Sequence, residues 1–278
     1  MGLFIKRQAR VVRRGVDERA TEEREFRRVG RSTVEIRRVL EVADRCRRLV
    51  CAGHQVLFEK AAKRAAAVIP LLGSIVHVES YFSFRQVRKN LTSLEQVLDI
   101  LPHAVYPLLA FLEDGTGADT PAELHGLNVN PDGEVQAIVG RGDKSGVIMV
   151  TLSGRPVSHT LEVDGTNGCL HADFVSGAVT RLPGPGASAI AAVMAPYITV
   201  LQTLVGSTLG FASMFLNSKI AYKGLPPLFR QFHRSIMNKG PLPVTPASIR
   251  ETVGLCEAVE DALQAADRKR QEQARREV

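Results

Sequence analysis

Between residues 121 and 182 the chain alternates short apolar stretches with glycine-containing turns, and this pattern restricts the possible folds more than any other feature. Apolar and polar side chains alternate along each stretch, as they do in strands that bury one face. Glycine turns such as those at 164–168 and 176–177 separate the stretches. The pattern predicts six strands of a mainly antiparallel sheet, at residues 123–129, 135–139, 147–153, 159–163, 169–174 and 178–182.

Segments with helical periodicity flank this region. Ser32 followed by Glu35 predicts a capped helix start, and residues 56–69 and 95–112 also carry apolar side chains at helical spacing. Residues 49–52 resemble a short buried strand, and residues 74–84 alternate as a longer one. The predicted fold class is therefore α+β, with a mainly antiparallel sheet, helices on one face and a residual βα unit at the N-terminal side.

The positive charge is confined to one end of the chain. The formal net charge is +7, and the first 50 residues contribute all of it, so the remainder is neutral. Residues 1–31 form a basic arm that is either solvated and disordered or a phosphate-binding patch. We expect no specific nucleic-acid binding by the rest of the chain. Four scattered cysteines without a CxxC pair predict no metal site and indicate a reducing, cytoplasmic location.

Residues 182–218 contain no charged side chain. This stretch exceeds the roughly 20 apolar residues that span a bilayer, but prolines, glycines and polar residues interrupt it. Three interpretations stay open: helices that are buried or cover the sheet, a surface for membrane contact or oligomerisation, and a true membrane span.

Asp99 and His103 are the most informative pair of polar residues. Four residues apart, they would lie on the same face of a helix, where a carboxylate can orient an imidazole and support its cationic form. Histidine has the pKa nearest neutrality, which suits proton transfer at an alcohol. The alternative is a capping Asp99, with Pro102 in the first helical turn, and a hydrogen-bonded buried histidine.

The order of several segments resembles the Gfo/Idh/MocA family of NAD(P)-dependent sugar and polyol dehydrogenases. The family's D-x3-H pair matches Asp99 and His103 in order and spacing. Residues 49–58 resemble the last strand of the family's dinucleotide-binding domain with the crossing into the second domain, and residues 73–80 resemble the first strand of that second domain. Residues 160–170 resemble its LEV-x-GT-x-G-x-L hairpin, and residues 240–245 its closing segment.

The resemblance implies hydride transfer between a sugar or cyclitol carbon and the nicotinamide of NAD or NADP. It implies that His103 is the acid/base and Asp99 its partner. Tyr106 is a candidate for the same pocket, and His54 and Gln55 could approach the nicotinamide or the substrate. The alternatives are a tyrosine packed in the core and a turn histidine exposed to water. The expected partners are a small sugar substrate and a second copy of the chain bound through the sheet face.

The sequence departs from the family pattern before Ser32. It lacks the Gly-x-Gly-x-x-Gly phosphate loop and the Glu-Lys-Pro motif, and residues 25–28 are Glu-Phe-Arg-Arg where that motif is expected. Either the chain is a truncated or frame-shifted dehydrogenase, or it is a short protein that supplies a non-catalytic binding or oligomerisation module. The expected organisation comprises a basic arm (1–31), a residual Rossmann-like helix and strand (32–55), a substrate and oligomerisation domain (56–268) and a charged tail (269–278).

Overall fold

The computed structural model describes residues 32–85, 91–113, 120–130, 133–184, 189–217, 222–238 and 240–276. The basic arm of residues 1–31 lies outside the described residues. Seven strands form one sheet: β1 (Ile75–Ser83), β2 (Glu123–Asn130), β3 (Glu134–Arg141), β4 (Lys144–Thr151), β5 (Ser158–Gly165), β6 (Gly168–Asp173) and β7 (Val179–Pro183). All six strands predicted after residue 121, and the strand predicted at 74–84, are confirmed to within three residues at each end.

The sheet has the order β2-β3-β4-β1-β5-β6-β7. Its neighbouring strands are antiparallel except for β1 and β4, which are parallel. At the centre of the sheet Val78 of β1 lies between Gly146 of β4 and Val163 of β5. Strand β1 thus joins two antiparallel groups, β2-β3-β4 and β5-β6-β7, into one mixed sheet.

In the described part of the chain seven α-helices accompany the sheet: α1 (Thr33–Arg45), α2 (Lys60–Val68), α3 (Ser93–Ile100), α4 (Pro102–Leu112), α5 (Ala189–Asn217), α6 (Leu225–Asn238) and α7 (Pro246–Arg276). The segment expected to be one helix from 56 to 69 consists of a 3-10 turn, Gln55–Phe58, followed by α2. The described part of the chain therefore has the predicted α+β fold.

The main core lies between the sheet and the helices on one face. Helix α4 packs on β1 and β4, α2 packs on β6 and β7, and α7 packs on β2. Alternate strand residues such as Val78, Ile148 and Leu161 are fully buried under these helices. Residues of the opposite face are exposed, including Ile138 and Glu162. This alternation is the physical origin of the strand pattern in the sequence.

A smaller apolar cluster replaces the expected residual βα unit. The helix at Ser32 is confirmed, since the Ser32 hydroxyl accepts a hydrogen bond from the Val34 N–H. The strand expected at 49–52 is wrong, because residues 48–54 adopt no regular structure. Val50, Cys51 and Ala52 instead pack against a cluster whose buried members are Ile36, Phe58, Leu228, Val244 and Ile249. These three apolar residues are thus partly buried against the cluster without a neighbouring strand.

Helix α5 is not a buried helix. Eleven of its large apolar side chains are at least 41% exposed. Among the described residues, one segment, Val193–Ala212, has the length and composition of a membrane span, and only 6% of it is buried. Length and composition alone do not establish a span. The interpretation of residues 182–218 as buried or sheet-covering helices is therefore wrong over most of the α5 surface.

We expect Leu161→Ala to lower the free energy of unfolding by about 2–5 kcal/mol, because it leaves a cavity in the fully buried centre of the sheet. Urea unfolding followed by circular dichroism measures this change. The matched control is Ile138→Ala, which truncates a side chain that is 48% exposed on the opposite face. We expect the control to cost about 1 kcal/mol or less. Equal losses in the two variants would contradict the assignment of the two faces.

Candidate active site

The site begins at the junction of α3 and α4. Thr92 and Glu95 form a capping box that starts α3, and this helix ends at Ile100. Pro102 occupies the first turn of α4, where its missing N–H costs little. Asp99 therefore lies inside α3, so the prediction that it caps the following helix is wrong. His103 is the second residue of α4 and is half-buried.

Tyr106 connects His103 to the segment before α2. Its hydroxyl lies 3.2 Å from His103 Nδ1 and accepts a hydrogen bond of 3.2 Å from the backbone N–H of Val56. The Tyr106 oxygen can also accept a hydrogen bond from His103 Nδ1, because a hydroxyl oxygen has two lone pairs. In that tautomer His103 Nε2 carries no hydrogen and is an acceptor for a bound hydroxyl.

His54 stacks on the other side of this tyrosine. The ring centroids of His54 and Tyr106 are 4.5 Å apart and the rings are nearly parallel, at 10°. His54 is buried, and Gln55 follows it at the start of the 3-10 turn. Three of the five predicted site residues, His54, His103 and Tyr106, therefore meet in one place, with Gln55 beside them.

His159 of β5 is a further member of the site that sequence analysis missed. Pro107 lies inside α4, four residues after His103, so it supplies no N–H to the His103 carbonyl. The His103 backbone acts on the ring of His159 and raises its pKa, against the larger effect of burial. The ring packs against Phe82 and Phe174, with centroid distances of 4.5 and 4.8 Å. His159 therefore lies beside the first turn of α4, where proline removes a helical hydrogen bond.

Several buried polar atoms at this site have no hydrogen-bond partner among the described residues. They are His54 Nδ1, Gln55 Oε1 and His159 Nε2. Buried polar groups are normally hydrogen-bonded, because an unpaired one costs about 1–3 kcal/mol. Orphaned atoms around His103 and Tyr106 are therefore suited to binding a polar small molecule or water.

Burial holds the three histidines in their neutral form. It lowers the pKa of His54 and of His103 to about 4 and that of His159 to about 3. The exposed carboxylate of Asp99 acts in the opposite direction and raises the pKa of His103, but burial outweighs it. Asp99 therefore influences His103 by charge, as the resemblance implies, from a position on the helix surface.

Glu59 is the second site residue that sequence analysis missed. It follows the 3-10 turn and precedes α2, and burial raises its pKa to about 7, against the opposing charge of Lys223. The Glu59 charge contributes to the raised pKa of Tyr106, after burial. A carboxyl group that titrates near neutrality can exchange protons at physiological pH. The residues beside Glu59 in the sequence do not indicate this role, because elements distant in the sequence bury the carboxyl group and so raise its pKa.

The N-terminus of α1 does not fit the pyrophosphate of a dinucleotide. A pyrophosphate needs a helix N-terminus with free N–H groups beside a glycine-rich turn. At α1 the Glu257 carboxylate accepts the Thr33 N–H at 2.9 Å, and hydrogen bonds with Thr33 lower the pKa of Glu257. An anion thus already occupies this helix end. Within the same described ranges, no group of three or more His, Cys, Asp or Glu side chains could hold a metal ion.

Solved structures with a similar fold are oxidoreductases and dehydrogenases. A dehydrogenase from Chromobacterium violaceum matches with a TM-score of 0.62 and 14% identity over 88% of this chain and 70% of that one. GenD2 of gentamicin A biosynthesis, in complex with NAD, matches with a TM-score of 0.54 and 17% identity over 83% and 66%. UDP-N-acetylglucosamine 3-dehydrogenase GnnA from Acidithiobacillus ferrooxidans matches with a TM-score of 0.53 and 11% identity over 82% and 65%.

These structural matches, at 11 to 17% sequence identity, establish a common fold. The chain spans about two thirds of the length of these proteins. No protein-family model matches the sequence. A search of curated proteins also found no match. The resemblance to sugar and polyol dehydrogenases is therefore supported at the level of the fold, and the activity rests on the site.

We expect the protein to lose stability as the pH falls from about 6.5 to 4. The three histidines have lowered pKa values in the folded state, so the unfolded chain binds protons first and acid favours unfolding. Glu59 acts in the opposite sense, because its raised pKa favours the folded state as the pH falls from about 7 to 4.5. The stability lost through the three histidines exceeds the stability gained through the one carboxyl group.

Thermal unfolding between pH 4 and 7.5 measures this effect. The variant His159→Phe should show a smaller fall in Tm over that range than the parent protein. The control His125→Gln changes an exposed histidine and should leave the pH dependence unaltered. A Tm that stays constant from pH 6.5 to 4 would contradict the burial of neutral histidines.

Proposed function

We propose that this chain provides the substrate-binding and proton-accepting part of an oxidoreductase that acts on a hydroxyl of a sugar or cyclitol, with NAD or NADP as the hydride partner. The observation that carries the proposal is the neutral His103 imidazole, oriented by Tyr106 and surrounded by buried polar atoms without partners. The dehydrogenase fold of the structural neighbours supports it.

Alcohol oxidation needs a base for the hydroxyl proton. A neutral imidazole at physiological pH is a suitable acceptor when its hydrogen lies on Nδ1 and is donated to the Tyr106 oxygen, because the Nε2 lone pair can then take the hydroxyl proton. Asp99 would stabilise the imidazolium that forms, because its charge raises the pKa of His103. His54 and Gln55 would bind neighbouring hydroxyls through their unpaired atoms. His159 would hold the first turn of α4 in place.

A second candidate function is a non-catalytic polyol-binding or oligomerisation module. The Glu257 carboxylate at the start of α1 favours it, since this group occupies the place where an anion would bind a helix N-terminus. Both functions use the same polyol site. They differ in whether the protein oxidises what it binds.

We expect His103→Ala to abolish binding of polyols, because it removes the imidazole that the proposal places against the bound hydroxyl. Saturation-transfer NMR with a panel of sugars and cyclitols measures binding, and reduction of added NAD or NADP measures turnover. The matched control is His233→Ala, which truncates an exposed histidine on α6 and should bind like the parent protein. Equal binding by His103→Ala and the parent would overturn the site assignment. Reduction of NAD or NADP by a bound polyol would select the oxidoreductase over the non-catalytic function.

We expect no saturable rise in Tm with NAD(H) or NADP(H), because the sequence lacks the Gly-x-Gly-x-x-Gly loop and the Glu257 carboxylate already occupies the N-terminus of α1. A ligand at 100 times its Kd would stabilise the folded state by about 2.7 kcal/mol, which is a shift of several degrees. Differential scanning fluorimetry with millimolar nucleotide detects such a shift. A saturable increase in Tm would show that the full chain has a dinucleotide site.

A further inference from the structure

One narrow stripe of helix α5 packs against the edge of the sheet. The Gln202 side chain accepts a hydrogen bond from the Arg181 N–H at 2.7 Å and donates one to the Arg181 carbonyl at 3.3 Å. Gly206 lies so close to the turn before β7 that a Cβ there would be 3.0 Å from Ala178 Cα. The helix thus covers the edge strand β7 and satisfies part of its exposed backbone.

The opposite side of α5 carries a heptad repeat of apolar residues. Ile190, Tyr197, Leu204 and Phe211 are spaced seven residues apart and are 76, 68, 62 and 68% exposed. Val193 and Val200 follow the first two of these by three residues and are 68 and 67% exposed. At 100° per residue these six side chains form one seam, which faces away from the Gln202 stripe.

Apolar residues that alternate three and four apart form a seam that stays in register with a partner helix. The seam and its flanking Met194 and Leu201 expose roughly 1,000 Å² of apolar surface, above the ~300–600 Å² of the largest patch on a typical monomer. A standard stable interface buries about 800 Å² per partner.

We propose that this seam, formed by Ile190, Val193, Tyr197, Val200, Leu204 and Phe211, is a dimer interface in which α5 packs against α5 of a second copy of the chain. A membrane span would require α5 to leave β7, which would expose the backbone groups that Gln202 satisfies. Docking of a second copy leaves these contacts intact. Leu204 lies near the middle of the helix, so a parallel or an antiparallel pair buries it.

Light scattering coupled to size-exclusion chromatography tests the proposal on the full chain. We expect a mass of twice 30.3 kDa for the parent protein. Leu204→Glu places a carboxylate in the seam and should weaken dimerisation about 100-fold or more. Tyr197→Glu should act in the same way. The matched control Thr203→Glu adds the same charge to an exposed position outside the seam and should remain dimeric, with unchanged circular dichroism in all three variants.

Three outcomes would overturn the proposal. They are a monomeric parent protein, a dimer that survives both seam substitutions, and equal dissociation of the seam variants and Thr203→Glu. A dimer that survives the seam substitutions would assign the contact to another surface, such as the open sheet face. Flotation of a monomeric parent protein with phosphatidylcholine vesicles, lost in Leu204→Glu, would identify lipid as the occupant of the seam.

Discussion

The packing of α4 over the centre of the sheet determines where the other parts of the structure lie. Eight of its eleven residues are buried, and it contacts both β1 and β4, the parallel pair that joins the two halves of the sheet. His103 and Tyr106 belong to this helix, so the core and the site share one element. A change that moves α4 therefore alters the position of the imidazole and the stability of the fold together. For this reason, substitutions on α4 require a measurement of folding beside any measurement of binding.

Two prolines in α4 have different consequences for the site. Pro102 begins α4, and Asp99 lies three residues before it at an exposed position of α3. Pro107 removes the N–H that would bond the His103 carbonyl. The His103 backbone also acts on the ring of His159 and raises its pKa, so β5 and the first turn of α4 meet at the site.

The sheet and part of the site could be predicted from the sequence because their signals are local. Alternation and glycine turns located the described strands after residue 121, and the helical pattern of residues 95–112 placed His103 and Tyr106 in a helix. Asp99 and His103, expected one turn apart on one helix, belong to α3 and α4. His159 and Glu59 could not be found in this way, because distant elements bury them and no local pattern records that burial. The strand expected at 49–52 failed for a related reason. Four apolar residues predict burial, but they do not specify whether another strand or a helix cluster provides it.

Helix α5 shows that an uncharged segment does not have to be buried within its own chain. Its composition suggested a covered helix, yet only the stripe around Gln202 and Gly206 contacts the sheet edge. The same helix therefore has two separate surfaces. One is small and polar enough to satisfy the backbone of β7, and the other is apolar with a seven-residue period. The first surface protects an edge strand from pairing with another chain, which makes strand-to-strand association at β7 unfavourable. Association through the second surface then remains the way in which two copies can cover their exposed apolar side chains while both sheets keep their protected edges.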